Sequence, residues 1–305
     1  MERILYMNYA ILDIGSNTIK MTVFSEEGET ILRKSTAAGL ISYVKNGILN
    51  EEGITLLADV ILKYDKAARE VGADTLYPFA TASLRAASNC QEVIDEIKKR
   101  TSYTIDLVSG EEEAALSYYG VCGSLSEKKD SMILLDIGGG SCEIVAPQYS
   151  LAVSLPVGAL AMFVRFVKNI LPSKEELAEI YRHTQTLAQN SGISPKNDTV
   201  CATGGSLRAF CRFHAHIYHK DFHNDDPYLI TRGEIVDLLT RVTEQDTETK
   251  LTLIRLIPER THTFATALTS ILAILDILGA DSLTVVAGGA REGYFMKIRQ
   301  KEQKV

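Results

Sequence analysis

One pattern of apolar and polar positions occurs twice along the chain. A short apolar strand ends in Leu-Asp-Ile-Gly at residues 12–15 and again at residues 135–138. In both copies a turn rich in Gly, Ser or Asn follows, and then a second apolar strand, which runs to Phe24 in the first copy and through Val145 in the second. Each copy predicts a β-hairpin with an acidic residue near the end of its first strand. The repetition predicts two domains of related topology.

The segments around the two hairpins alternate between helical and extended patterns. Apolar residues at helical spacing predict amphipathic helices, and short apolar runs predict strands. The predicted helices are 54–71, 91–100, 111–120, 174–189, 232–244 and the segment from 291 onward, and the predicted strands are 75–80, 104–108, 200–202 and 283–287. Ser109 precedes an acidic first turn and predicts an N-cap for the third of these helices. The alternation predicts an α/β fold.

The length of the chain also favours two domains. Its 305 residues are enough for two units that each bury a core. A charged stretch at residues 127–130 precedes the second hairpin and marks the predicted boundary. We therefore expect an N-terminal domain over residues 1–128 and a C-terminal domain over residues 129–305, with a last helix that can pack back on the first domain.

Four glycine turns that follow apolar strands carry the candidate chemistry. Glycine lets backbone N–H groups approach an anion closely, and successive N–H groups form a concavity for phosphate oxygens. The turn residues are Gly15, Ser16 and Asn17; Gly138, Gly139, Gly140 and Ser141; Gly204 and Gly205; and Gly288 and Gly289. Asp13 and Asp136 come just before the first two turns, where they could hold a hard cation against phosphate. A single such turn is often only a tight hairpin, but the set of four predicts phosphate binding between two lobes.

Composition and charge narrow the class of protein and partner. The net charge of −7 argues against a nucleic-acid partner, and an anionic substrate is expected to need Mg²⁺ or another divalent cation. Polar residues interrupt the most apolar late stretch, 265–280, so we expect no membrane span, and the N-terminus predicts no signal peptide. Five cysteines without a CxxC pair predict reduced thiols and a cytoplasmic location. Neither a P-loop nor a dinucleotide-binding fingerprint is present.

Six motifs, taken together and in this order, resemble the exopolyphosphatase/guanosine pentaphosphate phosphohydrolase (Ppx/GppA) family. They lie at residues 11–18, 80–85, 109–114, 135–141, 202–205 and 289–293. The family belongs to the sugar kinase/heat-shock 70/actin superfamily, and the resemblance covers nearly the whole chain. It implies the short form with two actin-like (ribonuclease H-like) domains and an interdomain cleft. It also implies Mg²⁺-dependent release of terminal phosphate from inorganic polyphosphate or a guanosine polyphosphate such as guanosine pentaphosphate, and a homodimer.

The resemblance assigns roles to individual residues. Glu113 matches the proposed general base, although acids also favour the first turn of a helix for electrostatic reasons. Arg85 falls at the position of a phosphate clamp. Asp136 and Glu143 match residues that carry Mg²⁺ and orient water, and Asp13 is expected to do similar work from the first domain. The predicted catalytic set is therefore Glu113, Arg85 and Glu143.

Three positions depart from the family pattern. Ala161 stands where the family usually has arginine, His262 where it tends to have aspartate, and Cys142 where it has threonine. These departures leave the length and identity of the substrate open. A cluster of four histidines over residues 214–223 is interpreted as a polar surface segment in preference to a metal site.

Two other functions remain as alternatives. An ATP-dependent kinase of the same superfamily would need a sugar pocket, which the sequence does not identify. A non-catalytic regulator could bind guanosine polyphosphate or polyphosphate without cleaving it. The retained Glu113 and the two Asp-Ile-Gly hairpins favour the hydrolase.

Overall fold

The computed structural model describes residues 7–125, 131–195, 198–224, 226–244 and 246–303, and these form two compact units. The first unit comprises residues 1–120 and 290–305, and the second comprises residues 121–289. The predicted boundary at 128/129 lies outside the described residues.

The first unit is built on a five-stranded mixed sheet. Its strands are β1 (Tyr9–Ile14), β2 (Thr18–Phe24), β3 (Thr30–Ala37), β6 (Leu76–Ala80) and β7 (Asp106–Leu107), in the order β3-β2-β1-β6-β7, and β4 (Val44–Lys45) and β5 (Ile48–Leu49) form a separate small hairpin. Its helices are α1 (Glu51–Glu70), α2 (Ala82–Arg85), α3 (Cys90–Thr101), α4 (Gly110–Ser124, whose last residues belong to the second unit) and α11 (Ala290–Glu302). β1 to β3 are antiparallel neighbours, whereas β6 runs parallel to β1 and β7 parallel to β6.

The second unit contains a six-stranded sheet with the same arrangement at its centre. Its strands are β8 (Met132–Ile137), β9 (Cys142–Ala146), β10 (Leu151–Leu155), β11 (Thr199–Thr203), β12 (Tyr228–Thr231) and β13 (Ser282–Val285), in the order β10-β9-β8-β11-β13-β12. Its helices are α5 (Ala159–Phe166), α6 (Lys174–Asn190), α7 (Gly205–Tyr218), α8 (Arg232–Thr243), α9 (Thr247–Leu256) and α10 (Thr261–Leu278).

The two sheets share one topology around their hairpins. In each, the first hairpin strand pairs antiparallel with the second and parallel with a later strand, β6 for β1 and β11 for β8. The second hairpin strand then pairs antiparallel with a third, β3 or β10. The prediction of a repeated topology in an α/β chain is confirmed.

The most apolar helix of the chain lies in the core of the second unit. The segment Pro258–Leu278 is long and apolar enough to cross a membrane, but 83% of an apolar 18-residue stretch within it is buried inside the protein. α10 packs against α5, α6 and α8. A helix that is apolar on all sides suits such a buried position, and packing in this unit accounts for its composition.

Candidate active site

The glycine turn of the first unit connects β1 to β2 and is held by a neighbouring loop. The carbonyl of Asn17 accepts hydrogen bonds from the backbone N–H groups of residues 38 and 39, and the carbonyl of Ser16 accepts one from residue 41. A Cβ atom at Gly15 would lie 2.9 Å from the carbonyl oxygen of Thr18. The turn therefore requires glycine at this position, and the loop fixes its backbone.

Asp13, near the end of β1, lies beside positive charge. It faces Lys20 in the β1–β2 register. Burial raises the pKa of the Asp13 carboxyl, and the charges of Lys20 and Arg291 oppose that rise. Arg291 also donates from Nη1 to Oγ1 of Thr22 at 3.1 Å. The acid of the first hairpin thus has cations of its own unit beside it, but burial and the charge of Glu292 keep its pKa above the usual value.

An arginine and a glutamate from different helices form an ion pair in the same unit. Arg85, the last residue of α2, donates from Nη1 to Oε2 of Glu113 at 3.1 Å and to the carbonyl oxygen of Val108 at 2.8 Å. The side chain of Glu113 is only 12% exposed. The structure therefore brings two of the predicted catalytic residues together from positions 28 apart in sequence.

The three glutamates in the first turn of α4 differ in their surroundings. Glu111 is exposed, Glu112 forms an ion pair with Lys297, and Glu113 forms the pair with Arg85. The predicted N-cap is confirmed, since the backbone N–H of Glu112 donates to Oγ of Ser109 at 3.1 Å. Glu113 is therefore the member of this turn that is held beside a guanidinium.

The glycine turn of the second unit is closed by its own backbone and by the start of α5. The N–H of Gly138 donates to the carbonyl oxygen of Ser141 at 2.9 Å, and the N–H groups of residues 159–161 donate to the carbonyls of Gly138 and Gly139. A Cβ atom at Gly158 would lie 2.4 Å from the nitrogen of Ser141. Gly158 is thus required for the close approach of α5 to this turn.

Two carboxylates face each other across the hairpin of the second unit. Asp136 on β8 and Glu143 on β9 are register partners. Glu143 is 1% exposed, and Ser154 on β10 donates from Oγ to its Oε1 at 2.7 Å. Like charges at facing positions of antiparallel strands are unfavourable. A cation at this pair would remove the repulsion.

The turn before α7 lies against the same acid. Gly204 has φ of +124°, and a Cβ atom there would lie 2.3 Å from the carbonyl oxygen of Ile137 and 3.4 Å from Oδ1 of Asp136. Gly205 begins α7, and Thr203 donates from Oγ1 to the carbonyl of Gly288 at 2.7 Å. Within the second unit, three of the four glycine turns thus follow the neighbouring strands β8, β11 and β13, and the turn at Gly204 lies against Asp136.

The chemistry of this donor set fits Mg²⁺. Carboxylate oxygens are hard ligands, and Mg²⁺ is commonly held by one or two carboxylates with several waters. Asp136 and Glu143 supply such a pair, and among the described residues no group of three or more His, Cys, Asp or Glu side chains could hold a metal. Cys142 is a poor ligand for Mg²⁺, because its soft sulfur does not suit a hard cation. Burial and then the charges of the two acids raise the pKa of its thiol well above the usual value.

The histidine segment is partly buried instead of wholly at the surface. His214 is completely buried, with Nδ1 2.8 Å from the hydroxyl oxygen of Tyr228, whereas His216 and His219 are exposed. The surface interpretation was therefore wrong for His214, because the apolar face of α7 carries it into the core. At the departure position His262, the ring makes an edge contact with Phe163.

Sequence reasoning missed several residues that contact the candidate site residues. Lys20 faces Asp13 on the neighbouring strand, and Ser154 faces Glu143. The strand register could therefore have indicated both residues once the pairing was known. Gly158 and Lys297 act through contacts between distant segments, for which no local pattern gives a signal.

The sequence matches a family model over residues 21–302, that of the Ppx/GppA phosphatase family. A guanosine-5'-triphosphate,3'-diphosphate pyrophosphatase from Aeromonas hydrophila is 27% identical over 310 residues, which cover 93% of this chain and 58% of that protein. The homologue from Aeromonas salmonicida is 26% identical with the same coverage. The chain thus spans less than two thirds of the length of these curated relatives.

Solved structures of similar fold cover nearly the whole length of this chain. An exopolyphosphatase from Cytophaga hutchinsonii superposes with a TM-score of 0.83 at 19% identity, covering 97% of this chain and 98% of that one. The Ppx/GppA enzyme of Aquifex aeolicus superposes with a TM-score of 0.77 at 25% identity, covering 95% and 99%. The predicted α/β fold with two actin-like domains is confirmed. The family model matches far more than half of the sequence, and the chain therefore belongs to the Ppx/GppA phosphatase family.

Proposed function

We propose that this protein hydrolyses the terminal phosphoanhydride bond of inorganic polyphosphate, with guanosine pentaphosphate as a second substrate. The observation that carries the proposal is the pair of Glu113 and Arg85, a carboxylate and a guanidinium held 3.1 Å apart. Family membership supports it, as do the names of the relatives, a guanosine-5'-triphosphate,3'-diphosphate pyrophosphatase and an exopolyphosphatase.

Glu113 acts as the general base in this proposal. Its carboxylate accepts a proton from water while the water oxygen attacks the terminal phosphorus atom, and the bond to the bridging oxygen breaks. The products are inorganic phosphate and a chain shortened by one phosphate. Arg85 holds one oxygen of Glu113 through Nη1 and has further N–H donors for phosphoryl oxygens.

The acids of the hairpins would bind a cation that balances the negative charge of the substrate, and the glycine turns would bind its phosphate oxygens. Asp136 and Glu143 would hold Mg²⁺ or another divalent cation, which supplies positive charge to the transferring phosphoryl group. Ser154 keeps the Glu143 carboxylate in one orientation. In the first unit the N–H groups of the turn at 15–17, next to Asp13, would bind phosphate oxygens. In the second unit those of residues 139–141 and 204–205 would do so, whereas the N–H of Gly138 closes its own turn onto Ser141.

Phosphate release from a matched substrate panel tests the proposal. The panel contains short, medium and long polyphosphates, guanosine pentaphosphate, and ATP with and without sugars, all with Mg²⁺. We expect release from polyphosphate, and we expect Glu113→Gln to lower kcat by about 10²–10⁴-fold with ligand binding retained. Glu111→Gln is the matched control, because Glu111 is exposed in the same helical turn.

Each alternative has its own signature in this experiment. A turnover in Glu113→Gln equal to that in Glu111→Gln would remove Glu113 from the mechanism. ATP consumption only in the presence of a sugar would indicate a kinase. Tight binding of a guanosine polyphosphate with no phosphate release from any substrate would indicate a regulator.

A further inference from the structure

The C-terminal helix α11 belongs to the first unit, where its aromatic residues anchor it to the sheet. The ring of Tyr294 stacks on Phe79 with centroids 4.4 Å apart, and the ring of Phe295 stacks on Phe24 at 4.7 Å. Both aromatic residues of the helix are buried. α11 is therefore a fixed part of the first unit, and its remaining contacts act from a rigid support.

The backbone of α11 touches the backbone of α4. A Cβ atom at Gly293 would lie 2.0 Å from the carbonyl oxygen of Leu116 and 2.7 Å from its carbonyl carbon. Only glycine permits this approach, since any side chain would push the two helices apart. Leu116 lies three positions after Glu113, so the contact is made about one helical turn from the proposed base, on the same side of α4.

One turn along α11, a lysine forms ion pairs with the residue next to the proposed base and with an aspartate of β7. Lys297 donates from Nζ to Oε1 of Glu112 and, at 3.2 Å, to Oδ2 of Asp106. The hydroxyl of Tyr294 donates to the same oxygen of Asp106 at 2.9 Å. Burial acts to lower the pKa of Lys297, but the two carboxylates outweigh it and the pKa lies above the usual value. Lys297 is therefore charged at neutral pH.

The two neighbouring ion pairs fix the rotation of the first turn of α4. Consecutive residues of an α-helix point about 100° apart around its axis. Glu112 is held by Lys297 from one direction, and Glu113 is held by Arg85 from another. A rotation of the turn that preserved one pair would break the other.

We propose that Gly293 and Lys297 are positioning residues, which hold the first turn of α4 so that Glu113 is directed correctly for catalysis. The inference rests on the proposed role of Glu113, and it assigns a purpose to the motif at residues 289–293, to which the proposed mechanism assigns none. Loss of the lysine contact leaves Glu113 and Arg85 chemically intact. The expected consequence is therefore a slower chemical step with unchanged substrate binding.

The contacts by which Gly293 and Lys297 hold the first turn of α4 are called the clamp below. Amide hydrogen exchange tests this clamp without reference to activity. The reporters are the backbone N–H groups of Glu112 and Glu113, which donate to Ser109 through its Oγ and its carbonyl. We expect Lys297→Met to speed their exchange at least threefold, because the turn opens more often. The control is Lys301→Met, an exposed lysine on the same helix, which should leave both rates unchanged. Equal rates in the two variants would overturn the clamp.

Turnover tests whether the clamp positions the base. We expect Lys297→Met to lower kcat by about 10–100-fold at an unchanged KM, the size of effect that a small misplacement causes, and Lys297→Arg to restore most of it. If Lys297→Met keeps the kcat of Lys301→Met while Glu113→Gln abolishes turnover, the positioning role is wrong. A wild-type protein with no hydrolysis would instead refute the proposed function, and the exchange rates would then decide the clamp by themselves.

Discussion

At the scale of single residues, the two copies of the hairpin differ in charge at one register position. Asp136 faces Glu143 in the second unit, whereas Asp13 faces Lys20 in the first. Two acids face each other in the second unit, which is unfavourable when both are charged, whereas an acid faces a base in the first unit. The flanking sequence Leu-Asp-Ile-Gly is the same in both. The two facing carboxylates of the second hairpin are the donor set proposed for the cation, and Asp13 is given a supporting role.

Thermal unfolding with and without Mg²⁺ tests this assignment. We expect Mg²⁺ to stabilise the wild-type protein, by about 2.7 kcal/mol at 100 times its Kd, because the ion binds only the folded state. Asp136→Asn should lose most of this stabilisation and should need more Mg²⁺ for turnover. Asp59→Asn, at an exposed position of α1, should respond to Mg²⁺ as the wild type does. Equal Mg²⁺ responses in the two variants would exclude Asp136 as a ligand.

At the scale of elements, the sequence predicted those whose apolar pattern had a clear period. The predicted helices at 54–71, 91–100, 174–189 and 232–244 correspond to α1, α3, α6 and α8 within a few residues. β3 was missed because its residues are exposed or half-buried throughout, so no alternation marks it. α10 gave no helical period because nearly all of its residues are buried.

The candidate site shows the same division between local and long-range information. The acids and glycine turns were identified from the sequence because each lies beside a recognisable strand end. Their partners were not, because Ser154 reaches Glu143 through strand pairing, and Lys297 reaches Glu112 from 185 positions away. Such contacts exist only once the chain has folded.

Alanine substitutions at two glycines, Gly204 just before α7 and Gly233 inside α8, should change the free energy of unfolding in opposite directions. Gly204→Ala should destabilise the protein by at least about 2 kcal/mol, because its φ of +124° and the carbonyl of Ile137 at 2.3 Å leave no place for a Cβ atom. Gly233→Ala, inside α8 with nothing within 4 Å, should stabilise it by about 0.5–1 kcal/mol. Urea unfolding of both variants measures the difference. A Gly204→Ala protein as stable as the wild type would show that the turn before α7 has another conformation.

At the scale of the whole molecule, a buried histidine links stability to pH. Burial is the main cause that lowers the pKa of His214 to about 4, although the nearby charge of Glu234 opposes it. The unfolded chain, with an ordinary histidine pKa, binds this proton at higher pH than the folded chain does. The free energy of unfolding should therefore be unaffected by His214 above about pH 6.5 and should fall as the pH decreases from there toward 4.

A second group near His214 acts in a lower pH range. Burial would raise the pKa of Glu234, but hydrogen bonds from Lys220 and Thr231 lower it to about 2. Its contribution to stability is present above the ordinary glutamate pKa and is lost only as the pH falls from about 4.5 toward 2. The Glu234 contribution is therefore constant between pH 6.5 and 4.5, so the change in stability across this window comes from histidines and from Asp13, whose raised pKa acts in the opposite direction.

Urea unfolding between pH 7 and pH 4.5 isolates the effect of His214. We expect His214→Gln to reduce the loss of stability across this window, whatever its effect on stability at pH 7. The slope should not vanish, because burial also lowers the pKa of His183 and His262, and these act in the same direction. His216→Gln is the control on the same helix, since His216 is exposed and should leave the slope unchanged. Equal slopes in the two variants would mean that His214 is protonated as readily in the folded protein as in the unfolded chain, which its complete burial beside Tyr228 argues against.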